Sequence, residues 1–124
     1  MEYCNDFEYD LKVGQCFEKE LGQILNNKKI EVKTDFQTYK TGNIFLEFRS
    51  RGEKSGIAKT KADYYSFILL DKDEKINTII LIPIKKLKKI ARKSYKKNGY
   101  IKGGDKNTSL GILIPVEKLA KRSD

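Results

Sequence analysis

The sequence predicts an α/β fold: a single domain with a central mixed β-sheet of about five strands flanked by helices. Three observations predict it. Apolar residues recur at three- and four-residue steps over residues 11–26, two segments at 29–35 and 43–49 alternate apolar and polar residues, and a strand–proline–helix pattern appears twice in the second half. With 124 residues the chain is long enough for one hydrophobic core, so we expect residues 1–124 to form one domain.

The first element is an amphipathic helix predicted over residues 11–26. Its apolar stripe consists of Val13, Phe17, Leu21, Ile24 and Leu25. Glu18 lies at the border of this stripe, so it could supply a carboxylate from the edge of the helix. The polar run that follows breaks the pattern and ends the helix.

Two strands are predicted next, at residues 29–35 and 43–49. Each has two unlike faces, and the more polar faces include Lys33 and Asp35 in the first strand and Glu47 and Arg49 in the second. The turn signal between the two strands predicts that they are antiparallel neighbours. We therefore expect Asp35 and Glu47 side by side on one sheet face, with Lys33 and Arg49 nearby.

The remaining elements follow from turn signals and apolar runs. Residues 50–56 predict an exposed polar loop, and Thr60 predicts the cap of a helical turn at 59–63. The segment Ile-Leu-Ile-Pro at 80–83 recurs at 112–115, each time followed by an amphipathic helical segment that begins at the proline. Two further strands are predicted at 64–70 and 78–82, joined by a turn at 71–75. The predicted order is helix, four strands, helix, strand, helix.

The net charge of +9 favours a polyanionic partner, foremost DNA, because cations that neutralise phosphates release counterions. The excess is concentrated in residues 85–106, where Asp105 is the only acid, and an acidic membrane surface is the lesser alternative. No apolar stretch approaches the roughly 18–20 residues of a membrane span. The acidic N-terminus lacks the order of a signal peptide, so we expect a cytoplasmic protein without a membrane partner.

Histidine is absent from the sequence, which removes serine–histidine and cysteine–histidine catalysis and most zinc hydrolases. Cys4 and Cys16 are too few for a zinc site without histidine, and we interpret them as small apolar side chains. Hydrolysis by this chain would therefore depend on carboxylates, lysine or tyrosine, together with a metal held by oxygen ligands.

Asp35 and Glu47 are the candidate metal ligands. Two carboxylates on one sheet face repel each other unless a cation lies between them, and Mg²⁺ or Mn²⁺ with such ligands can polarise a phosphate. Lys33 could orient the attacking water, and Glu18 could add a third carboxylate. The alternative is structural, since strands often place charges on a solvated face, and Lys33 could simply pair with Glu47.

The ordered set of a carboxylate on the first helix, Asp35 on a strand and Glu47-x-Arg49 on the next resembles the PD-(D/E)xK nuclease superfamily, over roughly residues 10–70. The segment VGQCFEKEL at 13–21 is similar to the first helix of archaeal-type Holliday-junction resolvases and small phage endonucleases, with Glu18 at the catalytic position. The resemblance implies a restriction-endonuclease-like fold and a Mg²⁺- or Mn²⁺-dependent deoxyribonuclease. It also implies catalytic roles for Glu18, Asp35, Glu47 and Lys33, of which the three carboxylates would hold the metal.

The chain departs from that pattern at Arg49, where the superfamily has lysine, and arginine seldom serves as a base. Lysine migrates within the superfamily, so Lys33 or Lys61 could replace it. A rival assignment takes Glu31-Val32-Lys33 as the Glu-x-Lys unit. It leaves no room for a strand with aspartate between Glu18 and Glu31, so we rank it second.

We therefore expect an endonuclease that hydrolyses DNA phosphodiesters, with branched DNA and a homodimer as further implications of the resemblance. A non-catalytic nucleic-acid-binding protein on the same scaffold is the main alternative, and an RNA-directed or inhibitory accessory protein is a third. The expected phosphate contacts are Arg49, Arg51, Lys54, Lys59 and Lys61.

Overall fold

The computed structural model describes residues 7–121, with side chains from residue 11 onward. This part of the chain contains three helices and seven strands. The helices are α1 (Phe7–Asn27), α2 (Thr38–Thr41) and α3 (Ile84–Asn98). The strands are β1 (Ile30–Asp35), β2 (Asn43–Ser50), β3 (Glu53–Lys54), β4 (Tyr64–Leu70), β5 (Ile76–Pro83), β6 (Ile101–Gly103) and β7 (Ser109–Pro115). Short 3-10 turns lie at Gly56–Ala58, Asp105–Asn107 and Val116–Leu119.

The strands form two sheets, so the prediction of one central sheet of about five strands is wrong, although the α/β class is right. One sheet has the order β1–β4–β5 and is mixed, because β1 is parallel to β4 and β5 is antiparallel to it. The other has the order β3–β2–β7–β6 and is antiparallel throughout.

The predicted pairing of β1 with β2 is also wrong. β1 pairs with β4, with Ile30 opposite Tyr64, while β2 pairs with β7 and β3. The physical reason is the connection between them, which contains the short helix α2 rather than a hairpin turn. Gly42 ends that helix in the left-handed region at φ 72°, and the chain then enters a different sheet.

Two smaller predictions between β2 and β4 need correction. The segment 50–56 is not entirely loop, because β3 forms a short hairpin with the end of β2. The helical turn lies at Gly56–Ala58, earlier than predicted, and Thr60 does not cap a helix. The Thr60 hydroxyl instead accepts a hydrogen bond from the Ala62 backbone N–H and donates one to Glu31.

The core lies where the two sheets and α3 meet. Its buried side chains come from β2, β4, β5, β7 and α3 and include Ile44, Tyr65, Ile82, Leu87 and Ile114. The repeated strand–proline pattern contributes twice, since Leu87 and Leu119 occupy equivalent positions after the prolines and both are buried. The second copy is followed by a 3-10 turn rather than the predicted amphipathic helix.

The long helix α1 confirms the first predicted element, although its apolar stripe is largely exposed. Within residues 7–121, no helix is both long and apolar enough to cross a bilayer.

Candidate functional site

The charged face of β1 points toward the interior side of its sheet. In the parallel ladder Glu31 is paired with Tyr65 and Lys33 with Phe67, and paired residues share a face. Tyr65 and Phe67 are buried, whereas Val32 on the opposite face of β1 is 56% exposed. The strand therefore turns the half-buried Glu31 and Asp35 toward the protein and Val32 toward solvent, while the long Lys33 side chain on the acidic face remains exposed.

Asp35 and Glu47 border one cavity of about 230 Å³ although their strands belong to different sheets. Lys33, Gly56 and Tyr65 line the same cavity. The other lining residues are Thr34, Phe45, Leu46 and Phe67. The two residues thus line one cavity from different sheets, rather than lying side by side on neighbouring strands.

Asp35 holds the start of α2 with one of its carboxylate oxygens. Asp35 Oδ1 accepts hydrogen bonds from the backbone N–H groups of Gln37 and Thr38, at 2.8 and 2.7 Å, and from Thr38 Oγ1 at 2.6 Å. Among the side chains of residues 11–121 none donates to Asp35 Oδ2. The carboxylate is therefore fixed in orientation and keeps one oxygen available to a ligand.

Glu47 lies at an irregular point of β2. Between Glu47 and Arg49 the register against β7 shifts, because these two positions oppose the consecutive residues Gly111 and Leu110. Such a bulge places one extra residue in the strand and redirects side chains near functional sites. Glu47 is half-buried, and no described side chain in residues 11–121 forms an ion pair or hydrogen bond with its carboxylate.

Glu31 anchors a small network beside the cavity. Its Oε2 lies 2.9 Å from Lys33 Nζ, and its Oε1 accepts a hydrogen bond of 2.8 Å from Thr60 Oγ1. Burial raises the pKa of Glu31, but the hydrogen bonds from Lys33 and Thr60 outweigh it and hold the pKa below the ordinary value. Lys33 therefore pairs with Glu31. The structural alternative, in which Lys33 pairs with Glu47, is wrong.

Tyr65 brings a hydroxyl to the same place. The residue is fully buried, and its Oη lies near Glu31 and Thr60 without a well-formed hydrogen bond to any described residue. Burial raises the pKa of the Tyr65 hydroxyl, and the charge and acceptor oxygens of the nearby Glu31 carboxylate raise it further. The Thr60 hydroxyl lowers it, and the more distant charge of Glu47 adds a small increase. A buried hydroxyl without a partner is costly, so this group is a reason to expect a ligand in the cavity.

Glu18 lies apart from this site. It is exposed on α1 and lines a separate hollow with Lys12 and Cys16 of the same helix. Across the described part of the chain, no three Asp, Glu or Cys side chains come close enough to hold a metal ion. The site that the structure assembles therefore has two carboxylates, from Asp35 and Glu47, rather than three.

None of the predicted phosphate contacts is among the residues that line the cavity. Arg49 is exposed, and its Nη1 donates to the Gly52 backbone oxygen at 3.1 Å, within the hairpin of β2 and β3. Arg51 and Lys54 are exposed on the same hairpin. Lys59 and Lys61 are exposed on either side of Thr60.

Sequence reasoning missed Thr60 and Tyr65 and gave Glu31 only a secondary place. Tyr65 belongs to an apolar run, which indicated a core residue, and nothing in that run signals an orphaned hydroxyl. Glu31 appeared only in the rival Glu-x-Lys assignment. The spacing of Glu31 and Lys33 at i, i+2, which puts them on one face of a strand, was the sequence signal that could have identified Glu31 as a partner of Lys33.

Comparisons with protein families, with curated proteins and with solved structures find no match to this chain. The interpretation of the site therefore depends on its own geometry and chemistry.

Proposed function

We propose that this protein is a metal-dependent endonuclease that hydrolyses DNA phosphodiester bonds. The observation that carries the proposal is the cavity shared by Asp35 and Glu47, with the Lys33 side chain and the orphaned hydroxyl of Tyr65 at its wall. Two carboxylates, a cation and a buried hydroxyl are a combination suited to a hard cation and a phosphate group together.

The residues around the cavity fit a divalent ion. Asp35 keeps Oδ2 available, and the half-buried Glu47 has no partner among the described side chains of residues 11–121. Mg²⁺ is commonly held by one or two carboxylates together with waters and substrate phosphates, so a third protein carboxylate is not required. Asp35 and Glu47 would hold the ion, which when bound supplies positive charge to a phosphate and lowers the pKa of water.

The protein's own groups would position the substrate. Glu31, which accepts a hydrogen bond from Thr60, pairs with the Lys33 ammonium beside the cavity. There the ammonium can donate hydrogen bonds to a phosphate oxygen or to the attacking water. The hydroxyl of Tyr65 can donate to the same ligand, which would satisfy its missing hydrogen bond. The α2 contacts of Asp35 keep its carboxylate oriented without further reorganisation.

The surface charge supports a nucleic acid as the substrate. The chain carries a net charge of +9, and the exposed cations of the β2–β3 hairpin and of residues 59–61 lie a few residues along the chain from Glu47 or Gly56, which line the cavity. Such cations contact backbone phosphates without reading sequence, and they make binding depend on salt.

One observation favours a second function, binding of nucleic acid without cleavage. Arg49 stands where the resemblance expects lysine, and its guanidinium donates to Gly52 in the hairpin. Among the described residues that line the cavity, Lys33 is the only lysine. If Lys33 cannot replace the missing lysine, the same surface would hold DNA and leave it intact.

Nicking of supercoiled plasmid in Mg²⁺, in Mn²⁺ and in EDTA tests the proposal. We expect cutting with either metal, and a loss of at least about a hundredfold in rate in Asp35→Asn and in Glu47→Gln. Glu53→Gln, on the exposed strand β3, is the matched control and should cut normally. Binding of Mn²⁺, followed by electron paramagnetic resonance, should weaken in the two site variants and not in the control.

Two results would overturn the proposal. One is DNA binding without cutting by the unaltered protein over several metals and DNA structures, which would favour the binding function. The other is cutting that persists in both Asp35→Asn and Glu47→Gln, which would show that the activity belongs to another site or to a contaminant.

A further inference from the structure

A second concavity, of about 470 Å³, runs along α3 on the far side of the 3-10 turn Gly56–Ala58. Ile57, Ala58 and Ala91 contribute to its floor, and its walls include Phe48 together with the side chains that α3 presents. We call this concavity the α3 groove. It is distinct from the cavity of Asp35 and Glu47, although Gly56 of the same turn borders that cavity.

Two partly exposed tyrosines lie at the α3 groove: Tyr95 lines it, and Tyr100 stacks on Tyr95. Tyr95 and Tyr100 are stacked with 6.2 Å between ring centroids and 10° between ring planes, and they are 46% and 50% exposed. Phe48 meets both rings edge-on, at 6.1 and 5.9 Å. The two tyrosine rings thus pack on each other and against a third ring, and about half of the surface of each residue remains exposed.

The α3 side of the groove is strongly basic. Lys88, Arg92 and Lys96 line it at successive four-residue steps, which places them on one face of the helix. α3 contains no acidic residue, and none of its cations forms an ion pair with a described side chain of residues 11–121. Like charges four residues apart destabilise a helix, so this arrangement favours a polyanion that neutralises it.

We propose that the α3 groove binds single-stranded nucleic acid. Unpaired bases would stack on Tyr95 and Tyr100, while the backbone phosphates would pair with Lys88, Arg92 and Lys96. Binding grooves for single strands combine these two features, a cationic track and aromatic platforms. A duplex keeps its base faces stacked inside, and an acidic peptide offers charge without bases, so neither occupant uses the tyrosine faces.

The position of the groove extends the proposed function. Gly56 borders the cavity of Asp35 and Glu47, whereas Ile57 and Ala58 line the groove, so residues of a single 3-10 turn contribute to both. The substrate class that follows is DNA with an unpaired segment beside the scissile bond. This substrate assignment rests on the proposed nuclease function, but binding of single strands by the groove does not.

Fluorescence anisotropy with a labelled twelve-nucleotide single strand and with the matching duplex tests the stacking. Tyr95→Ala and Tyr100→Ala should each weaken single-strand binding by about tenfold and change duplex binding much less. Tyr39→Ala, an exposed tyrosine on α2, is the matched control and should bind normally. Tyr95→Phe keeps the ring and should also bind normally, which separates stacking from any effect of misfolding.

The salt dependence of binding tests the cationic face. Arg92→Gln and Lys88→Gln should each lower the slope of log K against log salt by about 0.7, the value for one phosphate contact to a single strand. Lys72→Gln, in the turn between β4 and β5, should leave the slope unchanged.

The groove and the nuclease site fail separately in these measurements. Glu47→Gln should retain single-strand binding even where it loses cleavage, so the absence of cutting does not contradict the groove. Equal affinity for duplex and single strand in the unaltered protein would overturn the proposal. So would full displacement of the oligonucleotide by polyglutamate at equal charge, or normal binding in the Tyr95→Ala, Tyr100→Ala double variant.

Discussion

The cavity of Asp35 and Glu47 and the α3 groove are separated by a single 3-10 turn, yet they are built in opposite ways. In the cavity, Asp35, Glu31 and Lys33 are each held by specific hydrogen bonds or an ion pair. In the groove, the cations of α3 have no described partner and only the aromatic rings are fixed. Fixed polar groups suit chemistry at one atom, whereas free cations beside fixed rings suit a flexible chain of phosphates and bases.

The turn that separates the two regions gives the largest predicted effect. Gly56 has φ +49°, and an added Cβ would collide with the backbone carbonyl oxygen of Glu47. Because backbone cannot move aside as a side chain can, Gly56→Ala should lower the free energy of unfolding by about 3 kcal/mol. The shift should be measured as a lower midpoint in urea, and both metal binding and single-strand binding should weaken.

Gly52→Ala is the control for the conformational part of that effect. Gly52 has φ +80°, but a Cβ added there would meet nothing within 4 Å, so only the strain of the left-handed region applies. We expect a loss of about 1 kcal/mol, with both binding activities retained. If the two glycine variants lost the same stability, the predicted collision with the Glu47 carbonyl oxygen would add nothing to the strain of the left-handed region, and the turn would not be the constrained point between the two regions.

Asp35 gives the next largest effect and separates its two roles. Asp35→Ala removes the acceptor of the α2 backbone N–H groups and should cost about 1–2 kcal/mol in urea unfolding. Asp35→Asn keeps that acceptor and should stay within about 0.5 kcal/mol of the unaltered protein. Both variants should lose Mn²⁺ binding, because both remove the negative charge.

The α3 groove supplies the contrast for Asp35. Arg92→Gln removes an exposed cation from a helix of like charges, so its stability should fall within about 0.5 kcal/mol of the unaltered protein or rise slightly. A loss as large as that of Asp35→Ala would show that Arg92 has a structural partner and would weaken the contrast between the two regions.

The sequence predicted the elements better than their assembly. Periodicity and turn signals depend on near neighbours, and they located α1, β1, β2, β4 and β5 correctly. Strand pairing depends on contacts between distant segments, so the pairing of β1 with β4 left no local trace. The helix α2 is a small local feature, but it carries the chain into a different sheet and therefore changes which strands meet, whereas the bulge after Glu47 shifts only the register of β2 against β7.

The candidate site was predictable only in part, for the same reason. Asp35, Glu47 and Lys33 were expected near one another, and all three line one cavity, but across two sheets rather than along one face. Glu18 was expected with them because of the resemblance, and the described structure keeps it on α1 in another hollow. The unpaired state of the Tyr65 hydroxyl follows from its burial in the fold, and neither composition nor residue spacing predicts that burial.

Tyr65→Phe should have a smaller effect, and it should be stabilising. Removing a buried hydroxyl without a partner should raise the free energy of unfolding by about 1 kcal/mol at pH 7. The pKa of Tyr65 is raised above its ordinary value of 10.0, so the folded state holds the hydroxyl proton more tightly than the unfolded state does. The stability linked to that proton is fully present below pH 10 and is lost as the pH rises toward the folded-state pKa. Urea midpoints from pH 7 to pH 11 should therefore fall less steeply in Tyr65→Phe.

Tyr39→Phe controls for the loss of an exposed tyrosine hydroxyl and should leave the midpoint at pH 7 unchanged. A destabilised Tyr65→Phe at pH 7 would mean that the hydroxyl has a partner in solution. The cavity would then lack the feature that distinguishes it from an ordinary cluster of surface charges.

Glu31 gives the smallest effect, on the acid side. Its pKa lies below the ordinary 4.5 because hydrogen bonds from Lys33 and Thr60 outweigh burial, so its contribution is present above pH 4.5 and is lost as the pH falls through the folded-state value. The urea midpoint of Glu31→Gln should therefore fall less steeply between pH 5 and pH 3 than that of the unaltered protein. The midpoint of Glu53→Gln, on exposed β3, should follow the unaltered protein. A parallel acid profile in Glu31→Gln would show that Lys33 is not held by Glu31 in solution, and the cavity would then be as loosely organised as the α3 groove.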